Sequence, residues 1–318
     1  MHHTLTTEAT PLADPRLVEA IQQLAPFVGH TRLFPLPCFG LSPNVKMYAK
    51  LEWQQFGGSV KSRPAFEIIR QAVLSGKLQK DMQLVDASSG NTGIAYATVC
   101  AALGIGVRLY IPENASRERK QQLKALGVDI QYTSAMGGTD EGQGIAREVC
   151  QNQPERFYYA DQYGNQANWQ AHQKSTAAEI WQQTEGAISH FVAGIGTTGT
   201  FVGTSRGLRQ SKSDVQCIAL QPDHGMHALE GWKHLETTQR IPAIWDGDLV
   251  DCYMEVSTEE SFEWVKRAAA ETGLLISPSS AANLAGMVKV GQQLEEGVLV
   301  TVFPDNIEKY GELMEQLF

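Results

Sequence analysis

Residues 82–103 read MQLVDASSGNTGIAYATVCAAL. The segment opens on a short apolar run of strand length, 82–87, and closes on a helix-like stretch, 91–103. The joint is polar: Ser88, Ser89 and Gly90, then Asn91, Thr92 and Gly93 at the helix start. A strand that enters a helix through a Gly-containing polar turn is half of a βαβ unit. The same succession recurs outward along the chain. Strand-like runs cover 45–53, 107–112, 190–195, 215–221 and 297–303. Helix-like stretches cover 61–75, 116–126, 139–151, 167–183, 198–209, 258–272 and 280–294. Short β runs alternating with longer helical ones predict an α/β fold, a mostly parallel sheet flanked by helices. Ligand sites in such sheets lie at the carboxyl ends of the strands, where the polar joints fall. No repeat, low-complexity tract or clear linker interrupts the pattern. A boundary is expected near 155–162, where NQPERF breaks it, and the first ~25 residues read as an arm or frayed terminus.

The chain has 318 residues, enough for two ordinary domains or one large α/β unit. Hydrophobic residues make up 42% and charged residues 19%, the balance of a globular protein. A formal net charge of -9 argues against nucleic acid as a partner, which needs a basic face. No stretch approaches the ~18 apolar residues of a membrane span, so no membrane partner is expected. The opening MHHTLTTEATPLADP has no apolar export core. The five cysteines (Cys38, Cys100, Cys150, Cys217 and Cys252) are scattered and form no C-x-x-C. That distribution suits a reducing cytoplasm and predicts neither a disulfide framework nor a metal site.

Four segments carry chemistry. Gly57-Gly58-Ser59-Val60-Lys61-Ser62-Arg63-Pro64 follows a strand and opens a helix. Lys61 in the first turn meets the positive end of the helix dipole, which disfavours its ammonium form and suits an amine nucleophile. A P-loop needs Gly directly before the Lys, and Val60 stands there. Ser88–Gly93 combines free N–H groups, two glycines and hydroxyls at a helix start, a cradle for a carboxylate or phosphate as well as an ordinary capped turn. Gly194-Ile195-Gly196-Thr197-Thr198-Gly199-Thr200 satisfies G-x-G-x-x-G, so a dinucleotide site is weighed here. The acidic residue expected after the next strand is missing, because that position is Gln221. Three threonines suit a single terminal phosphate gripped from several sides. Ser277-Pro278-Ser279-Ser280-Ala281-Ala282 opens a late helix, where serine is also a natural cap.

Taken together, the four segments resemble the fold-type II pyridoxal-phosphate enzymes, and within them the cysteine synthases (O-acetylserine or O-phosphoserine sulfhydrylases). GSVKSRPA resembles the segment of the cofactor lysine, SSGNTG the substrate-carboxylate loop, GTTGT the phosphate cup, and SPSSAA the segment at the pyridine nitrogen. IPENASRERKQQLKALGVDI (111–130) and DQYGNQAN (161–168) extend the likeness, which runs from about residue 27 to 305.

The resemblance implies two subdomains, each with a mostly parallel sheet flanked by helices. The smaller, with the carboxylate loop, would be 46–160. The larger, with the phosphate site, would be 10–45 and 161–318. It implies that Lys61 holds pyridoxal 5'-phosphate and later moves the α-proton. Asn91 would bond the cofactor's 3'-oxygen, and Gly196, Thr197, Thr198, Gly199 and Thr200 its phosphate. Ser279 would meet the pyridine nitrogen, with Ser280 as a rival. Ser88, Ser89, Gly90, Asn91 and Thr92, with Gln162 opposite, would hold the substrate carboxylate. The implied reaction replaces the β-substituent of an O-activated serine by a sulfur nucleophile, giving L-cysteine, in a homodimer. Cystathionine β-synthase-like and 2,3-diaminopropionate synthase-like activities are the near alternatives, and a serine or threonine dehydratase is a more distant one. An NAD-dependent oxidoreductase using GIGTTG and a non-catalytic sensor lie further off. The chain departs from the family pattern at Ser62, Gln166, Ala177, Ala178 and Ala281, none of which is a catalytic group. A phosphate leaving group calls for a nearby cation. The turn Gln221-Pro222-Asp223-His224 offers no arginine, so the acetylated substrate is expected to be preferred. Arg63, Arg117, Arg119 and Lys120 are the cations a fold could bring close.

Overall fold

The computed structural model describes residues 12–238 and 240–318. Among the described residues, ten strands form two sheets. In chain order they are β1 (Leu33–Leu36), β2 (Val45–Leu51), β3 (Gln83–Ala87), β4 (Gly106–Pro112), β5 (Asp129–Thr133), β6 (Phe157–Tyr159), β7 (His190–Gly194), β8 (Gln216–Pro222), β9 (Cys252–Val256) and β10 (Gly297–Phe303). The larger sheet has the order β1-β2-β10-β7-β8-β9, and the smaller β5-β4-β3-β6. Every pairing is parallel except β1 with β2, as the alternation of elements predicts.

The helices are α1 (Pro15–Leu24), α2 (Ser62–Leu74), α3 (Asn91–Leu103), α4 (Arg117–Ala125), α5 (Gly138–Asn152), α6 (Ala167–Ala171), α7 (Ala177–Gln183), α8 (Gly199–Ser211), α9 (Thr258–Thr272), α10 (Pro278–Gly291) and α11 (Gly311–Leu317). A π turn, His172–Thr176, joins α6 to α7, so the helix expected over 167–183 is present with one wide turn inside it. Gly104 and Gly273 end α3 and α9 with φ of 68° and 72°, the left-handed closure that glycine adopts without a Cβ clash.

Core strands are apolar on both faces because helices cover both. In β10, Leu299 and Phe303 pack toward Met47, Leu220 and α10. The alternate residues Val300 and Val302 pack toward Phe191, Phe201 and Cys217. The smaller sheet repeats the arrangement, with Leu84 and Leu109 facing α2 and α3, and Val85 and Tyr110 facing α5.

Two expectations need correction. The strand 45–51 does not belong with the smaller unit, where a boundary at residue 46 had placed it. It pairs with β10 from Val45↔Gly297 to Leu51↔Phe303, so it lies inside the larger sheet. The expected N-terminal arm is in part a helix: α1 is capped by Asp14 and buries Leu17 and Ile21 against the core beside α2. Residues 1–11 of that arm, and with them the first two residues of the expected 10–45 segment, lie outside the described residues.

Candidate active site

The carboxyl ends of β3, β7 and β10 open onto one cleft of about 260 Å³ between the two sheets. It is lined by Lys61, by Ser88 to Thr92, by Gln162, by Gly196, Thr197, Thr198 and Thr200, and by Ser279. Four segments far apart in sequence are thus brought together. Of the residues to which the resemblance gave a cofactor or substrate role, all but Gly199 line the cleft, and the rival Ser280 does not. Gly199 starts α8, where a Cβ would overlap the side-chain amide of Asn168.

Lys61 stands one residue before α2, at the cap position rather than in the first turn. Burial holds its ammonium below the ordinary lysine range, and the carboxylates of Asp305 and Glu52 oppose that shift. Two residues on, Arg63 is fixed by a buried polar network. Its Nε lies 2.6 Å from Glu52 Oε2, and its Nη1 lies 2.7 Å from Glu179 Oε1. Lys50 adds a contact of 2.6 Å to Glu179. The start of α2 is therefore held to β2 and α7.

At the start of α3, Ser88 Oγ accepts the N–H groups of Gly90 at 3.4 Å and Gly93 at 3.1 Å. Ser88 thus satisfies a first-turn N–H from outside the helix, whose N-cap is Gly90, and retains its own O–H as a donor. A Cβ at Gly93 would press on the Ser88 carbonyl oxygen at 2.6 Å, so the close turn requires glycine there. Thr92 Oγ1 donates to Gln162 Oε1 at 2.8 Å, and Gln162 Nε2 donates to the Ala87 carbonyl at 3.1 Å. The N–H groups of Asn91 and Thr92 have no carbonyl of their own helix, and both residues line the cleft.

The loop before α8 is held equally tightly. Asn283 Oδ1 accepts from Gly194 N at 2.7 Å while its Nδ2 donates to the Val302 carbonyl at 2.7 Å, tying β7 to β10 at their ends. A Cβ at Gly196 would overlap the Gly231 carbonyl oxygen. Thr198 adopts φ 71°, a strained conformation for a β-branched residue, and its buried Oγ1 has no partner among the described residues. Thr197 Oγ1 accepts from Asn168 Nδ2 at 3.2 Å, and Thr200 Oγ1 lies 3.3 Å from His172 Nε2. Burial first, then Arg63 and Lys61, hold the His172 imidazole neutral. The loop thus offers hydroxyls and helix-start N–H groups with no acid of its own, the donor set a phosphate monoester needs.

Ser277, not Ser279, is the cap of α10, accepting from Ser280 N at 3.3 Å. Ser280 is turned away, its Oγ donating to the Asp305 carbonyl at 2.8 Å. Ser279 Oγ lies 3.2 Å from Ser277 Oγ, and Ser279 lines the cleft where Ser280 does not.

Sequence reasoning did not pick out Asp305, Lys309 or Glu230. Asp305 Oδ2 accepts from Asn91 Nδ2 at 2.8 Å and from the Tyr310 hydroxyl at 3.1 Å. Lys309 Nζ donates to Asn91 Oδ1 at 2.9 Å. Both ends of the Asn91 amide are therefore engaged, with one N–H left over. Of the four cations named from sequence, only Arg119 joins Lys61 in lining the cleft, and it is paired with Glu230.

Residues 24–305 match the family described as pyridoxal-phosphate dependent enzymes. A cysteine synthase of Aquifex aeolicus (strain VF5) is 44% identical over 271 residues, which span 84% of this chain and 83% of that protein. The O-acetylserine dependent cystathionine beta-synthase of Bacillus subtilis (strain 168) is 34% identical over 298 residues, 91% of this chain and 96% of that one. The crystal structure of a cysteine synthase (OASS) from Entamoeba histolytica superposes with a TM-score of 0.85 at 25% identity, covering 100% of this chain and 94% of that one. The chain belongs to the fold-type II pyridoxal-phosphate-dependent enzymes, and pyridoxal phosphate is its cofactor.

Proposed function

We propose that this chain makes L-cysteine by replacing the β-substituent of an O-activated serine with a sulfur nucleophile. The observation that carries the reading is the convergence of Lys61, the Ser88–Thr92 loop, the Gly196–Thr200 loop and Ser279 on one cleft. Pyridoxal phosphate, carried by Lys61, supplies an electron sink for the substrate's α-carbon. Once the substrate's amine has taken its place, Lys61 Nζ would take the α-proton and later return it. Its depressed pKa favours the neutral amine that can do so.

The helix-start N–H groups of α3 and the Ser88 hydroxyl orient the substrate carboxylate, and Gln162 braces Thr92 in that loop. Gly196, Thr197, Thr198, Gly199 and Thr200 hold the cofactor's phosphate, and the unpartnered Thr198 hydroxyl fits that task. The remaining N–H of Asn91 would serve the cofactor's 3'-oxygen. Ser279 offers a neutral hydroxyl to the pyridine nitrogen, which leaves the ring a moderate sink suited to β-replacement. The same proposal divides the chain into two units about the cleft, with a homodimer as its assembly. The five unpaired cysteines fit a cytoplasmic setting.

The test is a substrate matrix with the holoenzyme. O-acetylserine, O-phosphoserine and serine are each offered sulfide, thiosulfate, homocysteine and amines. Cysteine formed from an activated serine and a sulfur donor supports the reading. Turnover confined to homocysteine or to amines would replace it with another β-replacement.

A further inference from the structure

A phosphorylated substrate would bring three anions into the cleft: the cofactor's phosphate, the α-carboxylate and the phosphate on Cβ. The first two have cradles of neutral donors, at the starts of α8 and α3. The third has none. Among the described residues, the charged side chains lining the cleft are Lys61, Arg119 and Glu230, and Lys61 is committed to the cofactor. Arg119, in the first turn of α4, is 7% exposed and lies over the Tyr310 ring at 5.3 Å. Its Nε–H has no partner among the described residues, but its Nη2 is paired with Glu230. Glu230 comes from the loop between β8 and β9 and keeps its carboxylate 46% exposed on the solvent side of the pair. One cation of the cleft is thus cancelled by an acid from the opposite wall.

We propose that Glu230 is a specificity residue, which neutralises Arg119 and bars β-substituents that carry a formal negative charge. The inference rests on the β-replacement reading above. A phosphate dianion reaches Arg119 only by displacing a carboxylate that repels it. An acyl ester enters uncharged. It acquires charge only as the Cβ–O bond breaks and the electron pair leaves with the acyl carboxylate, which Glu230 then repels outward. Selectivity comes from the unfavourable encounter, not from a contact to the acyl group.

The experiment compares kcat/KM for O-phosphoserine and O-acetylserine, at fixed sulfide, in the wild-type holoenzyme, in Glu230→Gln and in the double variant Glu230→Gln with Arg119→Gln. The expected result is a rise in the phospho-to-acetyl ratio of at least about tenfold in Glu230→Gln, equivalent to ~1.4 kcal/mol. The double variant should lose that gain. The affinity for O-phosphoserine, read from the change in cofactor absorbance on titration, should move in the same order. Glu230→Ser serves in place of the first variant if that protein does not accumulate. An unchanged ratio, or a gain that survives the loss of Arg119, overturns the role of Glu230. A wild type that turns over neither ester with any sulfur donor overturns the β-replacement reading instead.

Discussion

Asn91 Nδ2 lies 2.8 Å from Asp305 Oδ2, so the first residue of α3 is bonded to the segment that follows β10. The contact joins the loop after β3 in the smaller sheet to the end of the larger one. Asp305 also receives Tyr310 and, through its carbonyl, Ser280. It is a positioning residue for both the asparagine and the α10 serines. Asp305→Ala should shift the absorbance maximum of the bound cofactor and lower kcat/KM by roughly tenfold or more, about 1.4 kcal/mol. Asp305→Asn, which keeps an acceptor, should restore most of both. An unshifted spectrum in the alanine variant would count against this role.

Ser279 has no capping duty, because Ser277 caps α10. If its hydroxyl serves the pyridine nitrogen, an acid in its place keeps that nitrogen protonated. Ser279→Asp should change the cofactor spectrum and slow β-replacement by about 100-fold, near 2.7 kcal/mol. Ser279→Ala strands no charge and should stay within about tenfold. Steady-state rates and absorbance spectra of the two variants decide the matter.

Arg63 is buried among Glu52, Glu179, Thr31 and Ser175. Removing one partner of such a network leaves carboxylates without their cation, a loss of about 3–5 kcal/mol. Arg63→Leu should lower the urea midpoint accordingly, and retention of wild-type stability would contradict the network's importance.

Asp86 is buried at the end of β3. Burial pushes its carboxyl up to about 7, against bonds from Ala87 N at 2.8 Å and Gln162 N at 3.3 Å. Below about pH 4 it is protonated in both the folded and unfolded chain. Between about pH 4 and 7 the unfolded chain releases the proton and the folded chain retains it, so stability falls as pH rises. Above that window the loss is complete, at most about 4 kcal/mol. Glu179, held down at about 2 by its arginine and lysine partners despite burial, has the opposite sign, its contribution lost only in acid. Subtracting the stability curve of Asp86→Asn from that of wild type isolates the Asp86 term. The difference should descend from pH 4 to 7, and a flat difference would refute it.

The central strands and Gly-rich joints were legible in sequence because parallel strands covered on both faces are continuous apolar runs. Strands β1, β5, β6 and β9 were not. All four are the edge strands of the two sheets, only three to five residues long, and the largely exposed β9 shows no alternation of burial to mark it. The placing of β2 failed because its neighbour is β10, the last strand of the chain, and sequence proximity carries no information about that pairing. The joints from β3 to α3 and from β7 to α8, which line the cleft, were legible because each is one contiguous strand-to-helix turn. Arg119 with Glu230, and Asn91 with Asp305, are pairs between distant segments, and Glu230 lies in a loop with no periodic pattern to anchor it.

The central claim is that Lys61 carries the cofactor. Borohydride reduction of the holoenzyme, followed by proteolysis and mass spectrometry, fixes the attachment point as a pyridoxyl-lysine. The label is expected on the peptide containing Lys61, and a Lys61→Ala protein should show neither that label nor the visible absorbance. A label on another lysine, or a Lys61→Ala protein that turns over at a comparable rate, would contradict it.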